Sequence, residues 1–239
     1  MKRLTIIPIL TVLAISAAPV SASVIQTVSG TSLSGDPVSC RAELSITGDL
    51  LTLQLFNTSP QTLHPDGLLS SYFFDIADAQ GHPPTLTYVS ALGDVWLTSK
   101  KSADVLQMSN ANLMALKPGS DTWQFRDLDS SLNPFLGFGI GTVGNSSMAP
   151  NNFNGNIVGG FDYSLYAGDV TTQNLNGYLL VKPSATFTFS GLSGFTEADI
   201  RPHGGFGLGT APDSILWAPE PAGGVLMGLG ALLLLWRRR

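Results

Sequence analysis

The strongest pattern in the chain is the alternation of apolar and polar positions between Cys40 and Asn57. Ala42, Leu44 and Ile46 alternate with Arg41, Glu43 and Ser45, and Leu51, Leu53 and Leu55 alternate with Thr52 and Gln54, the two runs being separated by Thr47-Gly48-Asp49. Successive side chains of a strand point to opposite faces, so period two on both sides of a glycine-containing turn predicts a β-hairpin with one buried face. Cys40 is in phase with Ala42 and reads as a small buried hydrophobe. Shorter strand-like runs follow: SYFFDIA, PTLTYVSA, DVWLTS, TWQFRDL, FDYSLYA, GYLLVK and ATFTFSG, with Gly, Asn, Pro and Ser between them. Only SADVLQMSNANLMALKPG predicts a helix, with Ser102 as its cap and Pro118-Gly119 as its stop. Regular short strands of this kind predict an all-β fold, a single antiparallel β-sandwich or jelly-roll-like domain. GFGIGT, starting at Gly137, recurs as GFGLGT at Gly205. Without a shared flank, this echo reads as a repeated turn-and-strand solution rather than a duplicated domain.

The two ends follow a different logic. Lys2 and Arg3 precede an apolar run from Leu4 to about Ala18, and Val20-Ser21-Ala22 supplies the small-x-small pattern of a secretory cleavage site. Residues 1–22 are therefore expected to be a signal peptide, cut between Ala22 and Ser23, with the β-sandwich body spanning 23–218. At the other end, Pro219-Glu220-Pro221 precedes fifteen uncharged residues, Ala222 to Trp236, and then Arg237, Arg238 and Arg239. As a helix this run would be about 22 Å long against a hydrocarbon core of about 30 Å. The arginine stems can snorkel and hold their charges on the cytoplasmic side, leaving the body outside the inner membrane. Pro219 and Pro221 stop the helix from extending upstream and keep that boundary extended.

This tripartite tail, over residues 219–239, resembles the PEP-CTERM sorting signal of exosortase-dependent surface proteins of Gram-negative bacteria. The resemblance implies export through the Sec translocon, an inner-membrane intermediate held by the short helix 222–236, and processing by an exosortase. It also implies delivery to the cell surface or the extracellular polysaccharide matrix. The order of strands in the body is loosely similar to that of other exosortase-sorted proteins and brings no active site with it.

Composition agrees with export. Only 12% of the residues are charged, about half the usual share. Between residues 23 and 218 there are seven basic against sixteen acidic side chains, a net charge of about −9. A body of that sign offers no cationic patch to a phosphate backbone, which excludes nucleic acid as a partner. Cys40 is the one cysteine, so the chain has no internal disulfide and no cysteine-based metal cluster.

Catalytic signatures are sparse. Gly139, Gly141 and Gly144 match G-x-G-x-x-G with Asp162 downstream, but the following NSSMAPNNFNGN does not form the helix whose N-terminus would meet a pyrophosphate. Asp127, Asp129 and Ser131 have the opening spacing of a calcium loop, yet Leu132 and Phe138 stand where Gly and Glu are required. A looser calcium site between loops would draw on Asp75, Asp78, Asp127 or Asp129, and solvated loop carboxylates are the plainer reading of the same residues. His64, His82 and His203 all lie in turn contexts, with neither H-E-x-x-H nor G-x-S-x-G in the chain. The expectation is thus a non-enzymatic exported protein with no cofactor and no assigned metal ligand. Its alternative is a carbohydrate-binding module of the matrix, with Trp96 and Trp123 as candidate glycan-stacking rings. A secreted hydrolase ranks behind both.

Overall fold

The computed structural model describes residues 23–116, 122–128, 137–142, 162–209 and 214–218. The expected signal peptide with Ala22, the helix 222–236, Pro219, Glu220, Pro221 and Arg237 to Arg239 lie outside these residues, while Ser23 is the first of them. No helix among the described residues is long and apolar enough to cross a membrane.

The fold is all-β and built from two antiparallel sheets. Eleven strands are described: β1 (Val24–Thr31), β2 (Pro37–Thr47), β3 (Leu50–Asn57), β4 (Leu69–Phe74), β5 (Thr87–Leu97), β6 (Val105–Asn112), β7 (Gln124–Asp127), β8 (Phe138–Gly141), β9 (Leu179–Ser190), β10 (Gly205–Leu208) and β11 (Ser214–Trp217). One sheet has the order β1-β2-β3-β9-β5-β6 and the other β11-β10-β4-β8-β7. The expected hairpin is present as β2 and β3, with Cys40 opposite Asn57 and Thr47 opposite Leu50. Gly48 sits in its turn at φ +63°, a conformation that costs a residue with a Cβ but not glycine.

Alternation places Ala42, Leu44, Leu51, Leu53, Leu55, Phe187 and Phe189 on the inner face of the larger sheet, each fully buried. They share one core with Tyr72, Phe74, Phe138, Ile140 and Phe206 of the smaller sheet. Phe74 and Phe189 meet across the layers with ring centroids 6.1 Å apart. Burying each such side chain is worth about 1.5–3 kcal/mol, which is the driving force that holds the two sheets together.

The glycine echo now has a place. Phe138 to Gly141 form β8 and Gly205 to Leu208 form β10, and these two strands flank β4 on either side. Tyr72 is paired with Ile140 on one side and Phe206 on the other, while Phe73 is paired with Gly139 and Gly205. The repeated Phe-Gly-Ile/Leu-Gly pattern thus sends its apolar residues to the core and its glycines to the opposite face. Gly139 and Gly141 are strand residues and form no phosphate-cradling loop; Gly144 lies outside the described residues.

Three local expectations are corrected. The segment expected to be helical from Ser102 contains strand β6, which pairs with β5 over Val105 to Asn112 and forms that edge of the larger sheet. Its apolar spacing gave a helix no continuous face to bury, whereas β5 offered a row of backbone groups to pair with. PTLTYVSA and DVWLTS merge into the single strand β5, and GYLLVK and ATFTFSG into β9, because β5 and β9 pair along their whole lengths through local register shifts. The described residues of FDYSLYA, 162–167, form no strand; Leu165 makes isolated bridges to Leu69 and Val181.

The first and last strands meet along one side. Gly30 of β1 is packed against Leu216 of β11. Because Val24 pairs with Leu44 and Thr31 with Pro37, the β1–β2 turn carrying Asp36 is at the far end of β1 from Ser23.

Candidate functional site

The outward face of the larger sheet presents a continuous set of polar groups. Cross-strand register sets Ser45, Thr52, Thr188 and Ser90 in one row, and Glu43, Gln54, Thr186 and Leu92 in the next. A third row holds Arg41, Phe56 and Ser184. These positions are out of phase with the buried leucines, so the alternation that builds the core also builds this face. Gln54 Nε2 donates to Ser184 Oγ at 3.2 Å, and the Arg41 guanidinium lies 4.1 Å from the centre of the Phe56 ring while reaching Glu43 at 3.2 Å. A shallow open pocket on the same face, about 390 Å³ in volume, is lined by Leu92, Asp94, Asn110, Pro183, Ser184 and Thr186. Asp94 is tied there by the Asn110 N–H at 2.7 Å and the Ser109 hydroxyl at 3.2 Å. Hydroxyls, amides and the carboxylates of Glu43 and Asp94 on a firm sheet can exchange hydrogen bonds with a polyhydroxylated ligand.

The two tryptophans expected to stack on glycans fall in different places. Trp123 is 0% exposed, lies 5.0 Å from Phe187 centre to centre and donates its indole N–H to the Tyr163 carbonyl at 3.0 Å. It is a core residue with no free ring face, which corrects the stacking expectation at that position. Trp96 is half-buried; its indole N–H donates to the Lys182 carbonyl at 3.2 Å and the Lys182 ammonium sits 4.8 Å from its ring centre. Alternation alone assigned neither ring to a face. Phe56, which the sequence reading passed over, carries a ring on the polar face, and its phase with Arg41 and Gln54 was the available signal.

Beside Trp96 is a buried charged cluster. The Asp104 side chain is fully buried and takes hydrogen bonds from the Tyr166 hydroxyl at 2.8 Å, the Ser99 N–H at 3.0 Å and the Val170 N–H at 3.3 Å. Lys182 Nζ lies 3.1 Å from Asp104 and 2.8 Å from Asp169. Burial, together with the hydrogen bond to Asp104, pushes the Tyr166 phenol well above its ordinary range. With every acceptor supplied, this cluster ties the 162–172 segment to β9 and to the connection between β5 and β6.

The carboxylates expected for calcium do not gather. Asp75 faces Arg201 at 3.9 Å, and its carboxyl is raised by burial, an effect partly offset by Arg201 and His203. Asp78 accepts the His82 and Gln80 N–H groups at 2.8 and 2.9 Å, which lower its carboxyl. Asp127 ends β7 opposite Phe138, and Asp129 is outside the described residues. Among the described residues, the metal-competent side chains that do come together are Asp36, His64 and Asp66, whose donor atoms all lie within 4.8 Å of one another. His203 is placed in the loop before β10 and does not join them.

No family model matches the chain, and no curated protein matches it. Among solved structures it is similar to the Clostridium perfringens delta-toxin at a TM-score of 0.18 and 11% identity, over 82% of this chain and 85% of that one. A likeness at that level carries no argument about fold or activity.

Proposed function

We propose that the chain is an exported, non-enzymatic protein of the cell surface or extracellular matrix, a β-sandwich or jelly-roll-like body between a cleaved signal peptide and a PEP-CTERM-like sorting tail. The observation that carries this reading is the order of elements after the last strand: Pro219-Glu220-Pro221, an uncharged run to Trp236, then Arg237 to Arg239. Export would use the Sec translocon and processing of the tail an exosortase, with the inner membrane as a station on the way. Replacing Pro219, Glu220 and Pro221 by alanine tests it through the mass and location of the mature protein. Full-length chain retained in the inner-membrane fraction supports sorting, and normal surface release of that variant defeats it.

A second reading is favoured by the polar rows around Gln54, Thr186 and Phe56: that this face binds extracellular polysaccharide. Gln54→Ala and Phe56→Ala should each weaken retention on an exopolysaccharide column by about 1 kcal/mol, the worth of a hydrogen bond or a ring contact. Absence of retention by the parent protein would end this reading while leaving the sorting proposal intact.

A further inference from the structure

We propose that Asp36, His64 and Asp66 form a binding site for a divalent transition-metal ion of the Zn²⁺ class. Two separate segments build it. Asp36 closes the turn between β1 and β2, and His64 and Asp66 flank Pro65 at the start of a short 3-10 turn, Pro65 to Gly67. Both supports are fixed by the backbone. The Ser32 N–H donates to the Asp36 carbonyl at 2.8 Å, the Gly67 N–H donates to the His64 carbonyl at 3.0 Å, and the buried Asn57 amide donates to the Gly67 carbonyl at 2.9 Å. One donor atom from each of the three side chains lies within 4.8 Å of the others. A zinc ion with ligands at about 2.0–2.2 Å would be reached by small side-chain rotations that even out these spacings.

The independent sign of a ligand is at Asp66. Its Oδ2 accepts the Ser34 N–H at 2.5 Å, but its Oδ1 is shut off from solvent and has no hydrogen-bond donor. Buried carboxylate oxygens are almost always satisfied, and an orphan one calls for a proton donor or a cation. The neighbouring groups are another carboxylate and an imidazole, neither of which donates to that oxygen. His64 Nδ1 and Asp36 Oδ2 are 2.6 Å apart, so the ring N–H donates to the carboxylate. A divalent ion would replace that shared proton and balance two carboxylates with one neutral imidazole.

The donor set selects the metal. Imidazole with carboxylate suits zinc and its neighbours, whereas calcium takes six to eight oxygens and does not use imidazole. The His64 side chain is about one third exposed, which leaves a side open to solvent for water or a further ligand. The site lies at the end of β1 opposite Ser23.

The test uses the full chain with a histidine-free purification tag, stripped with chelator and titrated with Zn²⁺ by calorimetry. One ion per chain is expected, with Asp66→Asn weakening binding by at least about 10-fold and His64→Ala abolishing it. His82→Ala, which alters the remote His82–Asp78 pair, should leave binding unchanged. No binding by the parent chain overturns the proposal, as does binding indifferent to Asp66→Asn and His64→Ala or lost on His82→Ala. A readout independent of variants is the modification of His64 by diethyl pyrocarbonate, mapped by peptide mass. Protection by Zn²⁺ supports the site, and equal modification with and without Zn²⁺ refutes it.

Discussion

The Tyr72 hydroxyl donates to Gln26 Oε1 across 2.5 Å, joining β4 of one sheet to β1 of the other inside the core. Gln26 in turn donates from Nε2 to the Arg201 carbonyl at 2.9 Å. Tyr72→Phe removes the donor and leaves a buried acceptor unmatched, at a cost of about 1–3 kcal/mol in urea unfolding. Adding Gln26→Met to that variant should return only part of the loss, because the Tyr72–Gln26 pair is then removed on both sides while the Arg201 carbonyl loses the Gln26 donor.

The same pair predicts alkaline sensitivity. Burial holds the Tyr72 phenol well above its ordinary value of 10.0, so the folded state keeps a proton that the unfolded chain gives up. The stability tied to Tyr72 is intact below pH of about 10 and falls as pH rises beyond it. Tyr72→Phe should flatten that fall in a pH series of chemical melts; an unchanged slope would contradict the account.

Lys182 neutralises an Asp104 side chain that has no exposure to water. Lys182→Met removes the ammonium that sits 4.8 Å from the Trp96 and Tyr166 ring centres and leaves Asp104 without its cation, and should cost about 3 kcal/mol. The exposed Lys101→Met serves as the comparison and should change stability by less than about 0.5 kcal/mol.

Cys40 is 1% exposed and its thiol is pushed up to about 12 by burial. The native protein should therefore resist alkylation by iodoacetamide at neutral pH, since the thiolate is the reactive form, and should react fully in denaturant. Rapid labelling of the native chain would show that β2 opens far more readily than its packing indicates.

Gly191 follows β9 at φ +105°, and a Cβ there would collide with the Thr85 carbonyl oxygen. Gly191→Ala combines backbone strain with a clash against main chain, so a loss of more than about 2 kcal/mol is expected. Gly48→Ala has the strain alone, with open space around it, and should cost about 1 kcal/mol.

The sequence by itself determined the β class, the β2–β3 hairpin and the burial phase of Cys40, Leu53 and Phe187, because strand alternation is a local property that each residue states through its own polarity. The expectations for the two ends of the chain rest on charge, length and proline chemistry and involve no tertiary contact. Only the tertiary structure decided that Ser102 onward would yield a strand, that β8 and β10 would share β4 as a neighbour, and that Trp123 would be core while Phe56 faces outward. Those outcomes depend on which sheet edge is free and which layer lies opposite, and neither is written in a window of neighbouring residues. The Asp36, His64 and Asp66 cluster was hidden for the same reason. Asp36 is separated from the other two by a complete hairpin, and no spacing rule links side chains that meet only because the β1–β2 turn lies beside the loop that enters β4.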